Sequence, residues 1–288
     1  MQPIPDFSEG PLRRLARIAL GVAYQLKPDR ITGLPALGLA VGREFLRGGT
    51  AVPGSATLHG SPANFGGVAF GPSPEAVMQA ARAGFYPHAH MGPLKWLSPP
   101  TRAVMLLTNV HFAKRFRRSL KTTDLRVTFD QDFAGVMKAC AGKREGRPQL
   151  TWITPSVMRL YYQLHGLGIA HSVEVWSEGM LVGGLFGVAV GPVFSALSMF
   201  HTADNASKIG IASLYHHLAK WGFTAVDHQT LSPWVQTLGA VEVPREDYVA
   251  MLGQPGCPAS QPGKWSAELS LRETAEWEPA QPEHALAS

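Results

Sequence analysis

An acidic side chain and a carboxamide lie two positions apart, as Asp227 and Gln229, in a segment with the apolar content of a β-strand. Residues two apart in a strand point to the same face, so a strand over Thr224–Gln229 would present this pair together and turn His228 away. A carboxamide oxygen can accept a hydrogen bond from an attacking N–H, and a carboxylate can stabilise the ammonium that develops. The same spacing also fits a polar pair that only bonds to backbone at the end of a strand.

The densest charge in the chain is the segment His111–Arg126, in which six Lys or Arg residues accompany one carboxylate, Asp124. Phe112 and Phe116 lie one helical turn apart and would attach a helix to the body, so that the cations form a fixed outward patch. Binding of phosphates to such a patch releases counterions and drives salt-sensitive association with nucleic acid. Most charge runs are instead solvated helix faces, so the patch alone leaves both interpretations open.

Composition excludes several classes of protein. The 288 residues are 45% hydrophobic and 16% charged, which suits a packed core and not a wholly disordered chain. The 30 Gly and 23 Pro follow no repeat period, so collagen-like and solenoid folds do not fit. Apolar stretches such as Met180–Phe186 fall far short of the roughly 20 residues that span a bilayer, and no export signal is recognisable at the N-terminus. We therefore expect a cytoplasmic protein that does not enter a membrane.

Motifs for cofactors and metals are absent from the sequence. The two cysteines, Cys140 and Cys257, form neither a disulfide framework nor a zinc motif, and the 11 histidines lack the spacing of metal ligands. No glycine-rich phosphate loop or HExxH motif occurs. The segment 201–208, before the longest helix, contains no glycine, and Asp204 would repel a pyrophosphate there. We expect no metal ion and no nucleotide cofactor, and coenzyme A does not fit.

Capping and turn signals predict the elements that would position these residues. Ser73 and Pro74 begin a helix that Gly84 ends, and Asp130 is expected to cap a helix that runs through Ala141. The expected strands are Ala103–Thr108, Leu125–Phe129, His171–Trp176, Met180–Val190, Pro192–Phe200 and Thr224–Gln229. Three antiparallel strands, a long helix, a strand and a helix form the order of a GNAT-type acyltransferase core. We expect an α+β fold, with an antiparallel or mixed sheet flanked by helices and a smaller N-terminal α/β domain.

The same signals divide the chain into four regions. These are an irregular lead-in at 1–66 with a short helix at Leu12–Gln25, a smaller N-terminal domain with the basic helix at 67–150, a GNAT-like catalytic domain at 151–253, and an acidic tail at 254–288. The tail contains five prolines, five acidic residues and two basic residues. We expect it to be mostly unstructured and dispensable, unless Trp265 or Trp277 docks it on the body.

Seven short motifs occur in a fixed order in the second half of the chain. They are TWIT (Thr151–Thr154) followed by Tyr161, HSVEVW (His171–Trp176), LVGGLFGVAVG (Leu181–Gly191), SMF (Ser198–Phe200), NASK (Asn205–Lys208), DHQ (Asp227–Gln229) and LGA (Leu238–Ala240). Each is an ordinary string, but together they closely resemble the leucyl/phenylalanyl-tRNA–protein transferases. The helix Ser73–Gly84, GFYP (Gly84–Pro87) and WLSPPTRAV (Trp96–Val104) also fit that family, so the resemblance covers roughly Gly66 to Leu252.

The resemblance implies a bacterial aminoacyltransferase of the N-end rule pathway of protein degradation. Such an enzyme moves Leu or Phe from aminoacyl-tRNA to the N-terminal amine of a protein that begins with Arg or Lys, without a metal or nucleotide cofactor. The ester is already activated, and an α-amine with a pKa of about 7.7–8.0 is partly neutral near pH 7.5. Positioning of two substrates can then supply much of the rate enhancement. The implied partners are aminoacyl-tRNA and an acceptor N-terminus, and we expect a monomer.

The resemblance also implies roles for individual residues. Asp227 and Gln229 match the proposed catalytic pair, in which we expect Gln229 to orient the attacking N–H and Asp227 to fix the carboxamide and stabilise the ammonium. Trp152 and Tyr161 would lie near the terminal adenosine, and Phe194 would help to line an apolar pocket for the amino-acid side chain. The predicted substrate-binding residues are Trp152, Tyr161, Phe186, Phe194, Phe200, Asn205 and Ser207, of which the aromatic ones also suit a core and Asn205 a helix cap. The predicted tRNA-binding residues are Lys114, Arg115, Arg117, Arg118 and Lys121.

Three positions depart from the pattern of the family. Leu197 stands in place of a Glu, Trp234 in place of a His, and Leu97 in place of the second residue of a Trp-Trp pair. Loss of one charge-assisted hydrogen bond, about 1.5–3 kcal/mol, would weaken binding of a cationic acceptor roughly ten- to a hundredfold. We therefore hypothesise that aminoacyl transfer is retained with a relaxed or altered amine acceptor. The alternatives are a tRNA-binding relic without activity and a GNAT-like enzyme that uses a small acyl donor.

Overall fold

The chain forms two units. The computed structural model describes residues 4–47, 52, 64–88, 92–143, 150–257, 260 and 262–280. One unit consists of Met1–Pro100 and Met137–Gly166, and the other of Thr101–Val136 and Leu167–Ser288. We refer to them as the smaller and the larger unit.

The smaller unit contains a three-stranded antiparallel sheet in the order β1-β3-β2. Its elements are α1 (Pro11–Gln25), α2 (Pro28–Ile31), α3 (Leu34–Arg47), β1 (Phe65–Ala69), α4 (Pro74–Arg82), β2 (Tyr86–His88), β3 (Leu94–Leu97) and the later α7 (Pro155–Gly166). The predicted start of α4 is confirmed, because the Ser73 hydroxyl accepts from the Ala76 N–H at 3.2 Å and Pro74 occupies the first turn. α1 confirms the predicted helix Leu12–Gln25.

The prediction of an irregular lead-in is wrong for residues 28–47, which contain α2 and α3. α3 is a helix of 14 residues in the part of the lead-in for which the sequence predicts no regular structure. Its Pro35 lies in the first turn, where a helix tolerates proline. Gly38 and Gly42 lower helix propensity by only about 1 kcal/mol each, and α3 packs against β1.

The larger unit contains a seven-stranded sheet in the order β10-β4-β9-β8-β7-β6-β5. Its elements are β4 (Thr101–Leu106), α5 (Lys114–Thr122), β5 (Arg126–Phe129), the start of α6 (Phe133–Cys140), β6 (Ala170–Ser177), β7 (Met180–Val190), β8 (Val193–His201), α8 (Ala206–Lys220), β9 (Ala225–Asp227), α9 (Pro233–Thr237), β10 (Val241–Pro244), α10 (Arg245–Leu252) and α11 (Leu271–Glu276). All neighbouring strands are antiparallel except β8 and β9, which are parallel. The α+β fold class is therefore confirmed.

Turn chemistry and glycines explain the central hairpins of this sheet. Glu178 and Gly179 join β6 to β7 with φ of 49° and 79°, the left-handed pair that a two-residue hairpin requires. Glycines on β7 allow α8 to pack closely on the sheet. A Cβ atom at Gly183 would lie 2.7 Å from the Cβ of Ala206, the first residue of α8. This close packing fixes the position at which α8 begins.

The observed units divide the chain differently from the predicted domains. β4 and β5 were expected in the smaller domain at 67–150, but both pair within the seven-stranded sheet, β4 with β9 and β5 with β6. The start of α6 also differs, because Asp132 and not Asp130 accepts the N–H of Gly135, at 2.9 Å. Sequence patterns mark strands but not the long-range pairs that assign them to a sheet.

Candidate active site

Gln229 lies just beyond the end of β9 and is held by three hydrogen bonds. Its N–H donates to Oδ1 of Asp227 at 2.8 Å, its carbonyl accepts from the N–H of Ala103 at 3.4 Å, and its Nε2 donates to the carbonyl of Ala196 at 3.2 Å. Its backbone is left-handed, with φ of 65°, which is strained for a side-chain-bearing residue. Its side chain is half-buried, and its Oε1 accepts no hydrogen bond from the part of the chain that the structure describes. The site therefore presents Oε1 of Gln229 as a fixed acceptor that is available to a substrate.

Asp227 is fully buried in a polar cluster. Arg102, from β4, donates to both carboxylate oxygens, from Nε to Oδ1 at 3.2 Å and from Nη2 to Oδ2. The hydroxyls of Ser195 and Tyr248 lie 3.1 and 3.2 Å from Oδ2 and 3.1 Å from each other. We call Asp227, Arg102, Ser195 and Tyr248 the Asp227 cluster. A paired, fully hydrogen-bonded carboxylate of this kind is held in one position.

Tyr248 completes the cluster from α10. Its ring centroid lies 4.3 Å from the guanidinium carbon of Arg102, within the range of a cation–π contact. Burial, with the neighbouring Asp227 charge adding to it, raises the pKa of Tyr248 above its ordinary value of 10. The phenol therefore stays protonated at neutral pH and acts as a donor toward the carboxylate.

The predicted geometry of the catalytic pair is wrong in two respects. β9 ends at Asp227, so the two side chains do not project together from one strand. Asp227 bonds to the backbone N–H of Gln229, whereas the carboxamide is oriented by the Ala196 carbonyl. The alternation of a strand does not extend to position 229, because the left-handed residue there rotates the chain out of the pleat. The expectation that Asp227 stabilises a developing ammonium has no support in this geometry, since its carboxylate faces Arg102.

Three members of the Asp227 cluster were missed in the sequence. Ser195 and Tyr248 carry no local signal, because their partner is 32 and 21 residues away. Arg102 does carry a local signal, because it is a charged residue directly before the apolar run Ala103–Leu106 of the same strand. A charge in a buried strand implies a buried partner.

The three phenylalanines predicted to bind substrate differ in their exposure. Phe186 on β7 and Phe194 on β8 are fully buried. Phe186 packs edge-on against Phe133, and Phe194 lies 5.4 Å from the ring of Trp265. Phe200, also on β8, is half-buried. Of the three, Phe200 alone presents surface to a ligand in this conformation.

Asn205 and Ser207 lie at the start of α8. Asn205 is exposed and occupies the capping position with φ of 60°, but its side chain makes no capping hydrogen bond. Asparagine tolerates the left-handed conformation better than most residues, which explains its presence without a cap. Ser207 is buried, with its hydroxyl 3.3 Å from Nδ1 of His201.

Trp152 and Tyr161 belong to the smaller unit. Their ring centroids lie 6.3 Å apart at an interplanar angle of 80°. Burial raises the pKa of Tyr161, so this phenol stays neutral. His88, at the end of β2, lies nearly parallel to the half-buried Trp152, with ring centroids 6.1 Å apart. His88 precedes Trp152 by more than 60 residues, and sequence reasoning did not connect the two.

The five predicted tRNA-binding cations all lie on α5, but they are not equivalent. Lys114, Arg115 and Arg118 are exposed. Arg117 is half-buried and donates to the carbonyls of Phe112, Ala275 and Trp277 at 2.8–3.1 Å. Lys121 and Arg117 also form ion pairs, with Glu276 at 2.8 Å and Glu278 at 3.1 Å. Two of the five cations therefore bind the C-terminal segment.

The prediction of an unstructured acidic tail is wrong for its described residues. α11 begins with a full capping box between Ser270 and Glu273, and it packs against α5 and α8. Trp265 is buried and stacks on His171 at a centroid distance of 3.7 Å, while Trp277 stacks on His216 at 5.0 Å. The two tryptophans supply the apolar contact that the proline-rich composition did not indicate.

Two of the three departures from the family pattern are packed. Leu197 lies at the β-bulge where β8 pairs with β7 and is only 7% exposed. Trp234, in the first turn of α9, packs on the hydrophobic core. These apolar residues fill space in the larger unit, and Leu197 provides no carboxylate for a cation.

Metal sites, substrate cavities and membrane-spanning helices find little support in the described residues. Within the described residues, no group of three or more His, Cys, Asp or Glu side chains could hold a metal ion. Cavities of about 410 and 590 Å³ occur in the smaller unit, and none of the predicted substrate-binding residues lines them. No described helix is both long and apolar enough to cross a membrane.

Comparison of the sequence with protein families gives one match over half of the chain. The family model described as leucyl/phenylalanyl-tRNA protein transferase matches residues 104–253. A protein of that name from Azotobacter vinelandii is 45% identical over 177 residues, which are 61% of this chain and 78% of that one. Similar proteins of that name from Pseudomonas syringae pv. syringae and Shewanella baltica are 43% and 38% identical, over 63% and 69% of this chain and 80% and 84% of theirs.

Solved structures resemble the fold only distantly. FemX aligns with a TM-score of 0.40 at 12% identity, over 51% of this chain and 60% of its own. A structure of L-PGS from Bacillus licheniformis aligns with a TM-score of 0.33 at 12% identity, over 56% and 52% of the two chains. Likenesses at this level carry no inference about activity.

Proposed function

The chain belongs to the leucyl/phenylalanyl-tRNA protein transferase family, and we propose that it transfers Leu or Phe from aminoacyl-tRNA to the N-terminal amine of an acceptor protein. The single observation that carries the mechanism is the carboxamide of Gln229. It is fixed through its Nε2 and its backbone, and its oxygen is left to accept a hydrogen bond.

The reaction is the aminolysis of an ester. A bond forms between the acceptor nitrogen and the aminoacyl carbonyl carbon, the bond to the ribose oxygen breaks, and that oxygen takes up a proton as the amine loses one. Oε1 of Gln229 accepts one N–H of the neutral amine and directs the nitrogen lone pair to the carbonyl carbon. A carboxamide is too weak a base to remove the proton, so Gln229 contributes orientation, which is worth several kcal/mol of barrier when the geometry is correct.

Asp227 serves as a positioning residue. Its carboxylate is buried and faces Arg102, so it does not contact a substrate. By accepting the N–H of Gln229 it stabilises the left-handed turn that aims the carboxamide.

The exposed cations of α5 are proposed to bind tRNA phosphates. Lys114, Arg115 and Arg118 are available for this, whereas Arg117 and Lys121 already bind the C-terminal segment. Replacement of Arg115 or Arg118 by Ala should weaken binding of leucyl-tRNA and lower its salt dependence. Arg43→Ala, an exposed arginine on α3, is the control. Equal affinity of all three variants and the wild type would contradict this assignment.

The remaining predicted contacts are proposals of the same kind. Trp152, with Tyr161 edge-on and His88 alongside, offers an aromatic surface on which the terminal adenine can stack, worth about 1–3 kcal/mol per base. Phe200 is proposed to contact the Leu or Phe side chain, whereas Phe186 and Phe194 are buried in the core and present no surface to it. The exposed Asn205 and the start of α8 are proposed to bind a polar group of the substrate, with Ser207 held behind them.

Leu197 favours an acceptor other than a cationic N-terminus. It is buried at a position where the family pattern has a Glu, so a guanidinium or ammonium finds no carboxylate there. Purified protein, charged leucyl-tRNA and peptides that begin with Arg, Lys or Ala test this directly. We expect transfer with less than tenfold preference for Arg or Lys over Ala. A strong preference for Arg and Lys would contradict the altered acceptor while leaving transfer itself intact.

Transfer of labelled leucine from tRNA is the experiment that tests the activity. Wild-type protein should show transfer, and Gln229→Ala should lower kcat by about 10²-fold if orientation is its contribution. Gln236→Ala, an exposed glutamine on α9, is the matched control and should retain full activity. Complete inactivity of the wild type with every acceptor, together with salt-sensitive tRNA binding, would identify a relic instead.

The wider assignments are also proposed. We propose a GNAT-type core, and the order of β6, β7, β8, α8 and the parallel β9 supports this proposal. The substrate implies action in the bacterial cytoplasm, where aminoacyl-tRNA is made, and the family implies a place in the N-end rule pathway. We expect a monomer that requires no metal or nucleotide cofactor.

A further inference from the structure

We infer that Arg102, Ser195 and Tyr248 are positioning residues for aminoacyl transfer, which act together by holding the turn that presents Gln229. This inference rests on the proposed function. It goes further because it assigns a role in the reaction to three buried side chains, none of which reaches a substrate.

The Asp227 cluster joins four elements of the larger unit to one turn. Arg102 comes from β4, Ser195 from β8, Asp227 from β9 and Tyr248 from α10. Oδ1 of Asp227 receives the Arg102 Nε and the Gln229 N–H, and Oδ2 receives the other guanidinium bond and the two hydroxyls. Any movement of this carboxylate therefore moves the backbone of Gln229.

Stability alone does not account for such a cluster. A buried ion pair commonly contributes no more stability than apolar residues of equal volume, because desolvation of the charges offsets their attraction. The cluster also supports a strained residue, since Gln229 keeps a left-handed backbone. Strain of this kind persists where surrounding contacts over-determine it, and such positions concentrate at functional sites.

The number of hydrogen-bond donors around Asp227 implies that the hydroxyls of Ser195 and Tyr248 can replace each other. A carboxylate offers about four lone-pair sites, and five donors surround Asp227: two from Arg102, one from Gln229 and one each from Ser195 and Tyr248. The hydroxyls lie 3.1 Å apart, so one can donate to the other instead. Loss of either hydroxyl leaves the carboxylate satisfied, and loss of both leaves Oδ2 with the guanidinium alone.

The test is a set of hydroxyl deletions in two backgrounds. Ser195→Ala, Tyr248→Phe and the double variant are each made with Gln229 and with Gln229→Ala, and kcat and KM for leucine transfer are measured. Tyr248→Phe retains the ring that contacts the guanidinium, so packing is preserved. We expect each single variant to lower kcat less than about threefold and the double variant about 10- to 100-fold, with KM for leucyl-tRNA nearly unchanged. In the Gln229→Ala background the double variant should change kcat less than about twofold.

Ser172→Ala is the matched control. Ser172 is also a buried strand serine whose hydroxyl donates to a buried carboxylate, that of Glu174, in the same sheet. We expect it to lower the urea midpoint as Ser195→Ala does and to keep the wild-type kcat. Hydrogen exchange of the peptide that contains residues 227–231 should increase in the double variant and remain unchanged in the control.

Failure of the inference and failure of the proposed function give different results. Equal loss of kcat in the Gln229 and Gln229→Ala backgrounds, or unchanged exchange at 227–231, would overturn the positioning role. Full activity of Gln229→Ala on its own would remove Gln229 from the mechanism and the inference with it. Absence of transfer by the wild type would contradict the proposed function, and the exchange measurement would still show whether the cluster holds the turn.

Discussion

Two carboxylates of the seven-stranded sheet are completely shielded from solvent, Asp227 on β9 and Glu174 on β6, and they are held in opposite ways. Asp227 has a cation, Arg102, on both of its oxygens. Glu174 receives the hydroxyls of Thr128 and Ser172 and the N–H of Gln131, and none of its hydrogen-bond donors among the described residues is charged. We call Glu174, Thr128 and Ser172 the Glu174 cluster.

The two acids differ in whether a neighbouring cation compensates the charge of the carboxylate. Burial raises the pKa of Glu174, and its hydrogen bonds only partly oppose that shift. Burial without a neighbouring cation therefore shifts Glu174 toward its protonated form. The guanidinium beside Asp227 instead compensates a full charge, and the Gln229 turn depends on that carboxylate. Asp227, which fixes the turn of Gln229, is thus paired with a guanidinium. Glu174, which has no contact with that turn, is bonded to hydroxyls.

Asp227→Asn should have the largest effect in this comparison. The change leaves the buried Arg102 guanidinium without its carboxylate, which costs about 3–5 kcal/mol of unfolding free energy. Urea denaturation at pH 7 measures the loss, and leucine transfer should fall with it. A loss below about 1 kcal/mol would mean that Asp227 does not need its charge.

Arg102→Lys should have an intermediate effect. Lysine keeps the charge but loses the planar fork that reaches both oxygens, so we expect a loss of about 1–3 kcal/mol in unfolding free energy. The exposed Arg43→Lys serves as the control and should change the urea midpoint very little. Wild-type stability of Arg102→Lys would show that a point charge is sufficient.

Thr128→Val tests the other cluster. The Thr128 hydroxyl donates to Glu174 at 2.6 Å and accepts from Nε1 of Trp176 at 2.8 Å, and both bonds are lost. We expect a loss of about 1 kcal/mol without a change in kcat. Reduced transfer activity in a fully folded variant would extend the reaction site to this side of the sheet.

Glu174→Gln should have the smallest effect at low pH and a favourable one at neutral pH. Because the pKa of Glu174 in the folded state is raised above its ordinary value of 4.5, the folded protein binds more protons than the unfolded chain does. Stability therefore falls as pH rises from the unfolded-state pKa toward the folded-state pKa. The neutral glutamine lacks this dependence. Urea midpoints at pH 5 and pH 7 should therefore show a stability advantage of the variant that grows with pH. A constant difference would contradict the raised pKa.

Much of the fold follows from local patterns in the sequence. The hairpin at Ser177–Gly179 and the basic helix α5 were predicted because their signals are complete within a dozen residues. β10 and α10 were not predicted, since four residues after Ala240 give too little periodicity for a strand. The assignment of β4 to the large sheet depends on pairs more than 100 residues apart, which no local pattern encodes.

The site was only partly predictable for the same reason. The ordered motifs identified Asp227 and Gln229, but the left-handed residue that separates their side chains is not visible in the letters DHQ. Arg102 could have been noticed as a charge inside an apolar strand. Tyr248 could not, because nothing near α10 indicates that its hydroxyl reaches Asp227 at 3.2 Å.

The C-terminal segment after residue 253 lies outside the family match but is part of the folded core. The family match ends at residue 253, yet the Trp265 N–H donates to Asp130 at 2.8 Å and its ring belongs to the hydrophobic core. A truncated chain cut at the end of the match would remove an indole from that core, at a cost of about 3–5 kcal/mol. It would also release Arg117 and Lys121 from their carboxylates. We therefore expect a protein that consists of residues 104–253 alone to be unstable. An active fragment must extend past Trp277.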